Sequence, residues 1–330
     1  MATELYYSLE FLKTADPMVA FSSPADLKEL NKEYRKLMLF FHPDRNSGTK
    51  EDEALATEIS SPLGTMLAEA KEILENGGKR LEIEIIIGKK KITFSDLIHN
   101  GALSFVLRNK QHALKVLKEP DDEDLFRTAE KHLKFLKQHK HFRKYLPQSP
   151  RFIPVALRGR QHLGMLYSYT RGFTLREVKA KHGAIPAPHA TWMLNRVLEI
   201  LSWSHSNNIA NMAVLPRHVI IIPKTHGGIL LDWSCSTSGK PVLLAETDDF
   251  GKYPAFVNKK PNDVRYADVL MAFDIYKWLA GEGNLPVPIQ RFINRIYNDE
   301  FKNKETSYLY RRFQTTVDSV WERKFLPFRM

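Results

Sequence analysis

His42-Pro43-Asp44 sets an imidazole, a φ-locked ring and a carboxylate in three consecutive positions. Pro43 disfavours helical backbone at His42, so the chain must turn there and present both polar groups on a tight corner. A partner approaching that corner meets these two groups first, which makes docking the chemistry to expect. Alone, the tripeptide is also an ordinary helix stop, and the flanking residues decide between the two readings.

The preceding segment, 25–41, carries Leu27, Leu30, Tyr34, Leu37, Met38 and Phe41 at the three-and-four spacing of one buried helical stripe. Pro24 and Asp26 mark its start. Lys28, Lys32, Arg35 and Lys36 fall on another side of the same helix, a positive, solvated face. A second amphipathic helix is predicted from Leu63, Met66, Leu67, Ala70, Ile73 and Leu74. Asn76-Gly77-Gly78 supplies residues able to adopt positive φ at its end.

A chain of 330 residues, 43% of them apolar, can bury two cores. Up to Gly78 there are 8 Lys+Arg against 14 Asp+Glu, hence −6; the remaining 41 basic and 24 acidic residues leave +17 on the second part. The overall +11 thus hides two opposite halves, with Asn76-Gly77-Gly78 as the natural boundary. A lone cysteine, Cys235, excludes an internal disulfide framework and fits a reducing compartment. With no secretory leader and no long apolar span in the sequence, the expectation is a cytoplasmic protein that needs no membrane.

The first part resembles the J-domain of DnaJ-type co-chaperones. Beside the His-Pro-Asp tripeptide, the resemblance rests on Tyr6-Tyr7, Glu33-Tyr34-Arg35-Lys36-Leu37, Arg45-Asn46 and the run Ala68-Glu69-Ala70-Lys71-Glu72-Ile73-Leu74, in that order. It implies that His42, Pro43 and Asp44, with Lys28, Lys32, Arg35 and Lys36, contact a DnaK-type chaperone and stimulate its ATPase. Two departures stand out: residues 13–23 look like an insertion, and no recognisable fourth helix follows Gly78.

After Gly78 the pattern changes. The segment 81–87 reads as a strand, as do Phe105-Val106-Leu107 and the run 113–117, around a turn at Arg108-Asn109-Lys110. Helices are predicted over about 122–138, 190–205 and 267–280, so this part reads as a small sheet followed by a helical mass. The positive charge invites a nucleic-acid reading, centred on the Lys-, His- and Phe-rich segment 131–144. There, however, Leu133, Phe135 and Leu136 have helical spacing, the lysines read as a solvated face, and no nucleic-acid motif accompanies them. The histidines lack the paired spacing of a zinc site.

Residues 80–330 resemble the protein-kinase fold. Ala113-Leu114-Lys115 resembles the strand with the phosphate-binding lysine, Glu130 its helix partner, and Leu166-Tyr167-Ser168-Tyr169-Thr170 the hinge that meets an adenine. Leu230-Leu231-Asp232-Trp233-Ser234 resembles the strand ending in the metal-binding aspartate, and Asp268 the buried aspartate of the large lobe. The stretch 205–221 follows the catalytic-loop pattern without a gap, but the general-base aspartate falls at Ala213, the arginine at Met212, the histidine at Asn211 and the metal-binding asparagine at His218. Loss of a general base costs about 100- to 10,000-fold in rate. Of the phosphate-loop glycines only Gly101 remains, and Tyr253-Pro254-Ala255-Phe256 carries Phe256 where the family has a glutamate.

The expected fold is therefore α+β: an N-terminal all-α J-domain helical hairpin in residues 1–78, then a two-lobed protein-kinase-like fold in 79–330, with a small lobe at 79–170 and a large lobe at 171–330. The terminus 321–328 resembles that of J-domain and kinase-like fusions from bacteria and their phages. Together these resemblances imply a co-chaperone or adaptor with a DnaK-type chaperone and an unknown client as partners, its second half a pseudokinase that binds client or nucleotide. The nucleotide site would comprise Gly101, Lys115, Glu130, Tyr167, Tyr169 and Asp232, with ATP and a divalent metal on Asp232 and His218. The alternatives are an atypical kinase or other nucleotide-dependent transferase using Asp232 and His218, and a basic nucleic-acid-binding adaptor.

Overall fold

The structure, a computed structural model, describes residues 17–22, 24–41, 50–75, 83–100, 104–147, 151–157, 160–168, 172–239, 264–281, 283–322 and 327–330. The chain mixes helix and sheet, compatible with an α+β class. It divides into two compact units, residues 1–124 with 150–169, and residues 125–149 with 170–330. The boundary expected at Asn76-Gly77-Gly78 lies outside the described residues.

In the first unit, a short helix α1 (Pro17–Ala20) lies within the stretch read as an insertion, and Met18, Val19, Ala20 and Phe21 are all buried. Helix α2 (Leu27–Phe41) starts on a reciprocal cap: Asp26 Oδ1 accepts the Glu29 N–H at 2.8 Å, and Glu29 Oε2 accepts the Ala25 N–H at 2.9 Å. Its buried stripe begins at Leu30, which is fully buried; Leu27, assigned to that stripe by spacing, is 37% exposed in the first turn.

Helix α3 (Lys50–Glu75) is longer than its apolar period predicts, running back through Pro62. A proline inside a helix withholds one N–H and crowds the preceding turn, which is why the spacing is readable only from Leu63 onward. Ile59, also buried, extends the Leu63, Met66, Ala70 stripe across the proline. These residues and Leu30 and Leu37 of α2 share one buried cluster, with the Phe21 ring edge-on to Tyr34 at 6.4 Å.

Strands β1 (Ile83–Ile87) and β2 (Lys90–Phe94) form an antiparallel hairpin. Strands β3 (Asp96–Asn100), β4 (Ser104–Arg108), β5 (His112–Leu117), β6 (Arg151–Leu157) and β7 (Arg160–Ser168) form an antiparallel sheet in the order β3-β4-β5-β7-β6. The predicted turn between β4 and β5 is held by Asn109, whose Oδ1 accepts the Gln111 and His112 N–H groups at 2.9 and 2.8 Å. One sheet edge, β3, shifts register between Leu97 and His99; the other, β6, contains Pro154. Gly164 on β7 makes room for its neighbours' side chains: a Cβ there would lie 2.7 Å from Val155 Cγ2 on β6.

Helix α4 (Glu123–Leu136) crosses from the first unit into the second. It buries Phe126, Ala129, His132, Leu133 and Leu136, but Phe135, grouped with the apolar residues by spacing, is 45% exposed among the lysines. The second unit continues with strand β8 (Phe173–Thr174) and helices α5 (Leu175–His182) and α6 (Ala187–Ser206). Strands β9 (Val219–Ile222) and β10 (Gly227–Leu230) complete a three-stranded sheet ordered β10-β9-β8. Thr174 and Glu177 cap α5 reciprocally.

Helices α7 (Val264–Ala280), α8 (Val287–Tyr297) and α9 (Thr306–Asp318) follow. Helix α7 is apolar nearly all round and buried on every side, so it is the core of this unit rather than a surface helix. Phe273 on α7 meets Phe292 of α8 and Phe313 of α9, and the Tyr276 hydroxyl lies 2.7 Å from Thr191 Oγ1 on α6. Burial pushes the Tyr276 phenol up to about 12.

Truncating the fully buried Leu63 to alanine is expected to cost about 2–5 kcal/mol of stability through lost burial and a residual cavity. Leu39→Ala, at a position 55% exposed, is expected to change it by less than about 0.5 kcal/mol. Urea denaturation of the two variants checks the difference.

Candidate functional site

Helix α2 shows all four of its predicted cations to solvent: Lys28, Lys32, Arg35 and Lys36 are exposed. Lys36 Nζ is 2.6 Å from Glu33 Oε1, an exposed pair one helical turn apart. Leu39 shares the Lys28, Lys32, Arg35 side by its four-residue step from Arg35 and is exposed as well, so the face is cationic with an apolar end. Its spacing from Arg35 was visible, but nothing in the sequence separates an exposed leucine from a core one. His42, Pro43 and Asp44 lie outside the described residues, as do Tyr6-Tyr7, Arg45-Asn46, Gly101, Tyr169 and 253–256.

In the second unit the chemistry gathers around Asp268, which is fully buried on α7. Its Oδ2 accepts the Asn211 N–H at 2.6 Å and its Oδ1 the Met212 N–H at 2.7 Å. Oδ2 also lies 3.0 Å from His205 Nε2 at the end of α6. An ionised carboxylate only accepts, so Nε2 carries a proton, and Nδ1 is left for the Thr306 hydroxyl at 2.7 Å. A buried charge is tolerable only when its hydrogen bonds are met in this way. The clamp also explains backbone strain: Met212 has φ 59 and is held left-handed by its bond to Asp268, at a conformational cost of about 1–2 kcal/mol.

Asn211 then acts as a bracket. Its Nδ2 donates to the Asp232 carbonyl at 2.9 Å, and its Oδ1 accepts the Ala213 N–H at 3.0 Å. Asp232 is itself left-handed, φ 37, with Oδ1 accepting the Ser234 N–H at 3.1 Å. Its Oδ2 is 3.5 Å from His218 Nε2, so the structure brings together the two residues singled out as possible metal ligands. His218 Nδ1 donates to the Ala213 carbonyl at 2.8 Å, and Nε2 accepts from Arg217 Nε at 3.2 Å. A divalent ion at this point would meet one carboxylate and displace a guanidinium from the imidazole, a donor set far from the oxygen shell that magnesium takes. Among the described residues no group of three or more His, Cys, Asp or Glu is placed to hold a metal ion.

Behind Asp232, Trp233 is buried with Nε1 donating to the Leu230 carbonyl at 3.0 Å. Ser236 Oγ donates to the Trp233 carbonyl and so accepts from His132 Nδ1, 2.8 Å away on α4. Burial, reinforced by Lys131, lowers the His132 pKa. Of the remaining predicted residues, Lys115 sits on β5 opposite Val106 and Met165, only 9% exposed. Tyr167 on β7 faces Ala113 in register, its hydroxyl 3.8 Å from Met165 Sδ. Glu130 pairs with Lys134 along α4 at 3.0 Å. Lys115 and Tyr167 belong to the first unit, Glu130 and Asp232 to the second. The role of His205 was not legible, because it depends on Asp268 and Thr306, 63 and 101 positions away; the bracket made by Asn211 depends on a fold that brings Asp232, 21 positions on, beside it.

No protein-family model matches the chain. Over 63 residues, 19% of this chain, the sequence is 40% identical to "Chaperone protein DnaJ" of Clostridioides difficile (strain 630). The match covers 14% of that relative's length. The chain therefore carries a DnaJ-like segment.

Asp268→Asn is expected to destabilise the second unit by about 3–5 kcal/mol, as does removing one partner of a buried pair, with two backbone amides losing a charged acceptor. Asp299→Asn, exposed on a loop, should change stability by less than about 0.5 kcal/mol. Tryptophan-monitored urea unfolding checks both. His132 predicts a pH dependence: its folded pKa lies below its unfolded value of about 6.5, so the unfolded chain binds more protons and stability falls as pH drops below that value. His132→Asn, which keeps a donor for Ser236 but cannot titrate, should flatten the unfolding midpoint measured between pH 7.5 and 5.

Proposed function

We propose that the chain is a J-domain co-chaperone or adaptor that recruits a DnaK-type ATPase through His42-Pro43-Asp44 and the cationic face of α2. The observation that carries this reading is the DnaJ-like segment, in a chain that also holds the tripeptide directly after an amphipathic helix with four exposed cations. The cations attract an acidic surface and speed encounter, and the corner adds a short-range polar contact. The second unit is the recognition half, a pseudokinase that takes a client or a nucleotide. Tethering a client there raises the local concentration of the chaperone delivered to it.

What supports a recognition role over catalysis is the loop 205–218. The kinase-like reading puts a general base at Ala213, where a methyl group can orient and deprotonate nothing. The close approach of Asp232 and His218 favours nucleotide-dependent transfer as the second reading. A thermal-shift screen of ATP with magnesium, manganese and zinc, repeated on Asp232→Ala and Lys115→Ala, separates a ligand site from a scaffold.

His42→Gln is expected to abolish stimulation of a DnaK-type ATPase while the circular dichroism spectrum stays unchanged; equal stimulation by variant and parent would refute the proposal. Lys32→Glu with Arg35→Glu should weaken chaperone binding at least tenfold at low salt, a change of about 1.4 kcal/mol or more. The gap between parent and variant should narrow as ionic strength rises, measured by surface plasmon resonance.

A further inference from the structure

A cavity of about 310 Å³ opens in the first unit where strands β6 and β7 meet the start of α4. That volume suits a small molecule. Its walls are within reach of solvent and mostly apolar: Pro154 is exposed, and Phe152, Ile153 and Leu163 are half-buried. Among the described residues the lining holds no lysine or arginine, and its one carboxylate is Glu123.

His162 is the polar group of this lining that the fold leaves unsatisfied. It is 7% exposed on β7, opposite Val155 of β6. Strand β7 lies between β5 and β6, and the ring turns one nitrogen toward β5, where Nδ1 is 3.0 Å from the Leu117 carbonyl. A carbonyl only accepts, so Nδ1 carries the proton and Nε2 of the neutral ring is an acceptor. The two ring nitrogens diverge, which directs Nε2 away from β5 and toward the side where β6 borders the cavity. Nε2 is buried and has no hydrogen-bond partner among the described residues. A buried acceptor without a donor is costly, and a donor delivered through the cavity removes that cost.

We propose that this cavity binds a small neutral aromatic hydroxyl compound, its O–H donating to His162 Nε2 and its ring lying against Phe152, Ile153, Pro154 and Leu163. One unmet acceptor calls for one donor, and the flat faces of Phe152 and Pro154 suit a ring. An anion would meet the Glu123 carboxylate with no cation to offset it. A cation would need a counter-charge, and Glu123 already has an interaction of its own. A site completed by a substrate hydroxyl rejects the analogue that lacks it, because the buried group is then left unpaired. The proposal shares no residue with the docking face of α2.

The test titrates the full chain with phenol, anisole and sodium benzoate at constant ionic strength, followed by isothermal calorimetry and by long-range proton–nitrogen NMR of the imidazole rings. Saturable binding is expected for phenol, binding at least tenfold weaker for anisole, which has the same ring but no donor, and none for benzoate. One imidazole acceptor nitrogen should shift on adding phenol, and that resonance should be missing in His162→Phe. The same variant should bind phenol no better than anisole. Leu163→Trp fills the apolar wall and leaves His162 in place; it serves as the second variant in case His162→Phe fails to fold, and should weaken phenol at least tenfold. Absence of saturable phenol binding, equal affinity for phenol and anisole, or phenol affinity unchanged in either folded variant overturns the proposal.

Discussion

Asp268 is the constraint on which the second unit depends. A carboxylate with no solvent access is costly unless its lone pairs are filled, and here two consecutive backbone amides and a histidine fill them. Satisfying the charge fixes the path of the loop after α6, holds Met212 in a left-handed conformation, and sets Asn211 where it can bracket Asp232 and Ala213. The loop so fixed is itself buried, from Ile209 to Pro216.

The first unit obeys a different economy. Its helices α2 and α3 bury a stripe shared with the sheet, and the opposite side of α2 is left to charge. The acidic balance of residues 1–78 makes that cationic face local rather than general, since it stands against a surplus of carboxylates in the same stretch. In the proposed docking role, such a face would attract an acidic partner to one helix side while the surrounding carboxylates repel it.

Long segments were legible in the sequence: α2, the later half of α3, α4 and α6 follow the apolar spacing, α7 reads as a long, mostly apolar run, and the β4–β5 turn follows from Asn109. The short strands β2, β3, β6 and β8 were not. Two to seven residues give too little alternation to read, and in β6 the internal Pro154 argues against a strand altogether. The start of α3 was hidden by Pro62. At the site, Asp232 and His218 were found by their resemblance to a known order of residues, and the structure sets them 3.5 Å apart. His205 and Thr306 escaped notice, since a histidine at a helix end and a threonine at a helix start, 101 residues apart, declare their partnership only when the chain is folded.

Both borders of the five-stranded sheet are spoiled for further pairing. Pro154 has no N–H to offer on β6, and the shift between Leu97 and His99 breaks the ladder on β3. A protein whose proposed work brings it beside unfolded polypeptides, each with unpaired backbone to spare, runs the risk of being enrolled as one more strand in a growing aggregate. An imino acid on one flank and a misaligned step on the other make each edge a poorer template for such a chain.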